Sequence, residues 1–209
     1  MRWRKTRGVA LACAGAAALL AGCVSHGPAP VLITLPSTVP FKASAPASAA
    51  STAAQPQRLL AVRRVELPEY LVARRMRYRA DASTLAEWPN TYWAERIEIG
   101  VTREFLSALR AELPGWTLCE GQCAEGTPEW TLQVDLTLVD YLRDARTLKA
   151  SANITLSATG ATQRVLRWPQ QNYEIPAAAD TPQAQAQALS DVLRRTALAA
   201  KEALSTAAP

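Results

Sequence analysis

Histidine is almost missing from this sequence: 209 residues hold one, His26. From residue 58 onward there is none, so a Ser–His or Cys–His nucleophilic pair has no imidazole base. A histidine-rich metal centre is excluded for the same reason, and the cysteines show no metal-ligand spacing. A glycine-rich phosphate loop and a Gly-x-Ser-x-Gly elbow are also missing. Two close carboxylate pairs, Glu66 with Glu69 and Glu95 with Glu98, read as surface charge rather than as a glycosidase dyad. No cofactor, no metal and no catalytic residue is expected, and the protein is read as a non-enzyme.

An excess of one charge is lacking too, although the formal net charge of +5 suggests otherwise. Four of the 23 basic residues, Arg2, Arg4, Lys5 and Arg7, lie in the first 22 positions, where no acid occurs. The remainder carries 19 basic against 18 acidic residues, a net of +1. No basic stripe interleaved with aromatics appears, which argues against nucleic acid as a partner. The local exception is Arg74, Arg75, Arg77 and Arg79. It reads either as a solvated strand edge or as a contact for anionic headgroups or an acidic partner.

A membrane-spanning run is absent as well. Gly8–Gly22 carries no charge, but its 15 residues fall short of the roughly 20 needed to cross a bilayer. Behind a basic n-region this length suits a signal-peptide core. The run ends in Leu20-Ala21-Gly22-Cys23, an apolar residue and two small residues before a cysteine. Small side chains let a peptidase reach the backbone at Gly22, and the Cys23 thiol is the nucleophile suited to a thioether with diacylglycerol. Residues 1–22 are therefore expected to be a signal peptide, cleaved between Gly22 and Cys23, and Cys23 the lipidation site. Two or more acyl chains anchor stably, at roughly 0.8 kcal/mol per buried CH₂. Val24 is not the Asp that favours inner-membrane retention in enteric-type bacteria, so an outer-membrane anchor facing the periplasm is expected.

Beyond Cys23, the cysteines are Cys119 and Cys123. In an oxidising periplasm a disulfide is the default for such a pair, and Gly121 gives the short ring backbone freedom. The ring would stabilise by roughly 2 kcal/mol, less any strain.

Residues 23–57 read as a lipidated N-terminus with a short apolar run, Val31–Leu35, and an Ala/Ser/Pro-rich linker whose one charge is Lys42. Whether residues 31–35 join a sheet is left open by the sequence. If they do, the tether from Cys23 is only a few residues; if not, a coil of about 35 residues spans roughly 30–35 Å. Residues 58–209 read as one periplasmic domain. A strand over Arg58–Val65 precedes a hairpin of Arg74–Arg79 with Ser83–Trp88. Ala94, Ile97, Val101, Phe105, Ala108 and Leu109 recur at helical spacing, and Pro114-Gly115 closes that helix. Trp116–Cys119 is a short strand. Trp130, Leu132, Val134, Leu136 and Leu138 alternate with polar residues, as do Leu148, Ala150, Ala152, Ile154 and Leu156. Arg143–Arg146 is the turn between them, and Thr162–Trp168 gives a third strand. Thr181-Pro182 opens a last helix with an alanine-rich stripe. The fold class is α+β: an antiparallel or mixed sheet, two main helices on one face, a single domain. Trp88 and Trp93 flank a Pro-Asn turn that could expose one of them as an interface anchor.

Several motifs in order resemble one family. The lipobox precedes Leu32-Ile33-Thr34-Leu35-Pro36, then Leu59-Leu60-Ala61-Val62 and Val65-Glu66-Leu67-Pro68-Glu69-Tyr70-Leu71. Met76-Arg77-Tyr78-Arg79 follows, and a helix opens at Tyr92-Trp93-Ala94-Glu95 and closes at Ala111-Glu112-Leu113-Pro114-Gly115-Trp116. Over about residues 20–206 this is similar to the ABC-type transport auxiliary lipoproteins of the paraquat-inducible protein C type. The resemblance implies an accessory lipoprotein that docks an intermembrane lipid transport system and supports envelope integrity. Its partners would be an MCE (mammalian cell entry) domain protein and inner-membrane transport components, with assembly as a homo-oligomer. Tyr70, Leu71 and Trp93 are the candidate partner surface. The alternative is a structural envelope lipoprotein that binds peptidoglycan or another envelope protein.

Overall fold

The computed structural model describes residues 28–36, 58–124, 126–160 and 164–207. The signal segment, Cys23 and residues 37–57 lie outside the described residues. A compact unit begins at Val31, so the Val31–Ile33 run belongs to the fold and not to a linker that precedes it.

In chain order the elements are β1 (Val31–Ile33), β2 (Arg58–Val62), a 3₁₀ turn (Glu69–Leu71), β3 (Arg75–Arg79), β4 (Leu85–Trp93), α1 (Ile97–Glu112), β5 (Trp116–Glu120), β6 (Trp130–Leu142), β7 (Thr147–Ala158), β8 (Val165–Arg167), β9 (Gln171–Pro176) and α2 (Pro182–Ala207). The strands form one nine-stranded mixed sheet, and two helices complete a single α/β domain.

The β6–β7 hairpin is the spine. Its antiparallel register runs from Trp130 opposite Ala158 to Leu142 opposite Thr147. The register slips between Leu136 and Leu138, which makes Thr137 the extra residue of a bulge. Side chains alternate with period two, so one inserted residue swaps the faces. Leu132, Val134 and Leu136 are buried before the slip, Val139 and Tyr141 after it. Leu138, expected inside by simple alternation, is only half-buried.

On its far edge β7 carries two strands end to end. β8 pairs with residues 155–157 and β9 with residues 147–152. β9 was not legible in the sequence, because Tyr173 and Ile175 alone alternate inward along it. On the opposite side, β6 takes β2 in parallel over residues 130–132 and meets β3 only at Leu142. β5 lies parallel outside β2, and β4 then β1 lie outside β3.

The first helix starts later than its apolar spacing implies. The Trp93 N–H still donates to the Arg74 carbonyl at 2.8 Å, and the Ala94 N–H to the Ile33 carbonyl at 2.8 Å. The sheet holds both amides, so Tyr92 and Trp93 end β4, and α1 begins at Ile97 behind the extended Arg96. The second helix starts as its cap residue predicts: the Ala184 N–H donates to the Thr181 hydroxyl at 3.2 Å, the usual N-cap geometry. Ala186, Ala188, Ala197, Ala200 and Ala203 are buried along α2 with Val192 and Leu193. Their small side chains let the helix axis approach its neighbours closely.

Candidate functional site

The three residues singled out as a partner surface do not form an exposed patch. Trp93 is only 6% exposed. It points into the core from the last position of β4, where burial alternates and Thr91 and Trp93 share the inward face. Trp88 is equally buried, and its indole N–H donates to Gln185 Oε1 on α2 at 2.7 Å. The Pro89-Asn90 step does not turn the chain; Asn90 takes a positive φ of 48° inside a continuous strand. Neither Trp is thus an exposed anchor. Leu71 packs against the core from the 3₁₀ turn.

Tyr70 has a specific structural task. Between the Glu66–Asp135 bridge and the Arg79–Leu142 contact, no strand among the described residues flanks β6 on the side away from β7. There the Tyr70 hydroxyl accepts from the Val139 N–H at 3.1 Å and lies 3.5 Å from its carbonyl. A side chain closes the gap in the ladder that would leave buried backbone groups unpaired. Burial, with the nearby Asp140 carboxylate, pushes the Tyr70 phenol up from its usual range.

Around these residues the surface is concave. A hollow of about 340 Å³ is bounded by Val72, Arg74, Trp93, Arg96 and Glu98. A wider one of about 500 Å³ shares Val72 and Glu98 and adds Arg63, Arg64, Glu66 and Glu69. The two carboxylate pairs seen in the sequence lie here: Glu66 and Glu69 border the wider hollow, Glu95 and Glu98 the other. Glu98 meets Arg96 at 2.8 Å, and that hydrogen bond holds its carboxyl below the usual range. Glu95 meets Arg103 at 2.6 Å. A general acid needs its proton held near neutral pH; Glu98 is shifted the other way. The groove therefore offers shape and paired charge.

The arginine cluster resolves mostly into internal pairs. Arg75 and Arg77 both face Glu87, at 3.3 and 3.5 Å. Arg79 bonds Asp140 at 2.9 Å. Arg143, in the β6–β7 turn, sits 4.2 Å above the Trp88 ring and pairs with Asp180 at 2.6 Å. Its contact holds the Asp180 carboxyl low. Of the four clustered arginines, Arg74 alone forms no ion pair among the described residues. Gln185 was missed by sequence reasoning: besides holding Trp88, its Nε2 donates to the Arg77 carbonyl at 2.7 Å. A glutamine on the inward stripe of a helix's first turn was the available signal.

Cys119 and Cys123 are joined, with Cα atoms 5.2 Å apart, and Gly121 between them has a φ of 75°. Their ring follows β5, an edge strand. Among the described residues no group of three or more His, Cys, Asp or Glu side chains could hold a metal ion.

A family model described as "ABC-type transport auxiliary lipoprotein component" matches residues 41–200. The chain belongs to that family. The match spans most of the sequence but is narrower than the motif resemblance: Cys23 and β1 precede it. Among solved structures, a crystal structure of an uncharacterized protein covers 83% of this chain and 98% of its own length at 19% identity and a TM-score of 0.65. Protein XCC0632 from Xanthomonas campestris covers 86% of this chain and 95% of its own at 17% identity and a TM-score of 0.53. At such identities the likeness shows a shared fold. No curated protein matches the chain.

Proposed function

We propose that this auxiliary lipoprotein is anchored in the outer membrane through acylated Cys23, with its domain in the periplasm. There it docks an MCE/ABC-type system that moves lipid between the two membranes. The observation that carries the reading is the family match over residues 41–200, which ties the chain to ABC-type transport. The basic n-region, the 15-residue apolar core and the Leu-Ala-Gly-Cys ending support the anchor. Among the described residues no helix is long and apolar enough to cross a membrane, in keeping with attachment through lipid. The role proposed is mechanical rather than chemical: the domain is a rigid module held at one membrane, homo-oligomeric, that receives the periplasmic end of the transport complex. The grooves flanking Val72 are the proposed contact surface for that partner, in place of an exposed Trp93.

Affinity purification of the acylated protein from detergent-solubilised envelopes tests this. Recovery of an MCE-domain protein together with inner-membrane transport components is the expected result. Recovery of muropeptides with no transport component would overturn it in favour of a structural envelope lipoprotein.

A further inference from the structure

The edge strand β1 has only one of the protections usual at sheet edges. Exposed edges are normally short, charged or covered. β1 is short, yet from Pro30 to Pro36 it carries no charge. Leu32 is 55% exposed and Val31 43%, one on each side of the strand, while Ile33 is buried. Leu32 lies opposite Tyr92, and Tyr92 opposite Arg75. Directly paired residues share a sheet face, so Leu32, Tyr92 and Arg75 form one row on the side away from the helices. The Arg75 guanidinium sits 5.2 Å from the Tyr92 ring centre. Arg74, next to it, is exposed and forms no ion pair among the described residues.

An apolar side chain, an amphipathic ring and arginines in sequence across a surface are the composition of a bilayer interface. Chain length adds a second argument. Val31 is eight residues after Cys23, which at full extension is roughly 28 Å. A strand on so short a tether stays within reach of the surface in which Cys23 would be held. A second copy of the chain fits less well. β1 offers three residues of backbone, and Pro30 and Pro36 supply no donors at its flanks. A specific protein interface buries about 1,200 Å² or more, and a three-residue edge contributes little toward that.

We propose that Leu32 of β1, with Tyr92, Arg74 and Arg75, forms a lipid-contact patch that seats the domain on the phospholipid surface beside its anchor. The acyl chains supply attachment; the patch fixes which side of the domain faces the bilayer. This rests on the anchor proposed above.

The test places p-benzoylphenylalanine at position 32 of the full acylated chain, reconstituted into phosphatidylethanolamine–phosphatidylglycerol vesicles and irradiated. A phospholipid adduct is expected as the main product. Arg74→Gln in the same chain is expected to lower its yield by about fivefold, the weight of one cation near an anionic surface. Arg167→Glu, on β8 at the opposite edge of the sheet, is expected to leave it unchanged. A main product that is a dimer or another protein adduct, or no adduct at all, overturns the patch. Acylation is read by mass on the same sample, so loss of the anchor and loss of the lipid contact are separate results.

Discussion

At the scale of single residues, the side chains that looked like surface anchors hold the sheet together. Tyr70 was conspicuous within Pro68-Glu69-Tyr70-Leu71, and its hydroxyl closes the gap in the β6 ladder at Val139. Tyr70→Phe keeps the ring and removes that bond, leaving a half-buried amide without its acceptor. Loss of about 1 kcal/mol of unfolding free energy is expected in a urea titration, with partner recovery unchanged. An unchanged midpoint would mean that water replaces the hydroxyl at no cost. Trp93 teaches the opposite lesson about aromatics. Spacing placed it beside a Pro-Asn step that reads as a turn, but Asn90 absorbs the kink with a positive φ and the strand continues. Asparagine tolerates that conformation better than most residues, and no pattern of hydrophobicity announces it.

At the scale of elements, much was readable where one face is buried for a long stretch. β6, β7 and α2 declared themselves because period two or 3.6 persists over many residues and cap chemistry agrees at Thr181. β9 did not, since Tyr173 and Ile175 alone cannot set a period, and of the strand expected over Thr162–Trp168 only Val165–Arg167 pairs as β8. Amphipathic spacing reaches back to Ala94, whereas the backbone amides of Trp93 and Ala94 are already bonded to Arg74, just before β3, and to Ile33 of β1. Tertiary hydrogen bonding outweighs local spacing there. The candidate site was partly legible: its carboxylates and arginines were visible as types, but which Arg faces which Glu depends on the fold of β3 against β4. The Cys119–Cys123 ring tests how much one edge depends on a covalent link. On chain entropy a loop of this size contributes at most about 2 kcal/mol, equivalent to roughly 4–8 °C for a domain of this size. Reduction by dithiothreitol is expected to lower the thermal midpoint within that range, without loss of the folded far-ultraviolet spectrum at 25 °C. Complete unfolding on reduction would show that β5 and the loop after it secure the core, a larger part than its half-buried side chains imply.

At the scale of the whole molecule, family and location together frame the role. The domain's grooves hold Glu95 and Glu98 in arginine pairs, with Glu66 and Glu69 beside them. Family membership supplies transport by an ABC-type system as the setting. What such a module contributes then depends on where it is held and which way it faces. The entry of β1 into the sheet shortens the span between Cys23 and the fold to eight residues, so a lipid at Cys23 would keep the domain near the bilayer and leave little room for reorientation. The central claim is accordingly about one covalent bond. Intact and N-terminal mass spectrometry of the protein purified from its native envelope measures it directly. The account predicts a chain that begins at Cys23 and carries diacylglycerol on the thiol; a chain that retains residues 1–22, or one with an unmodified Cys23, would contradict it.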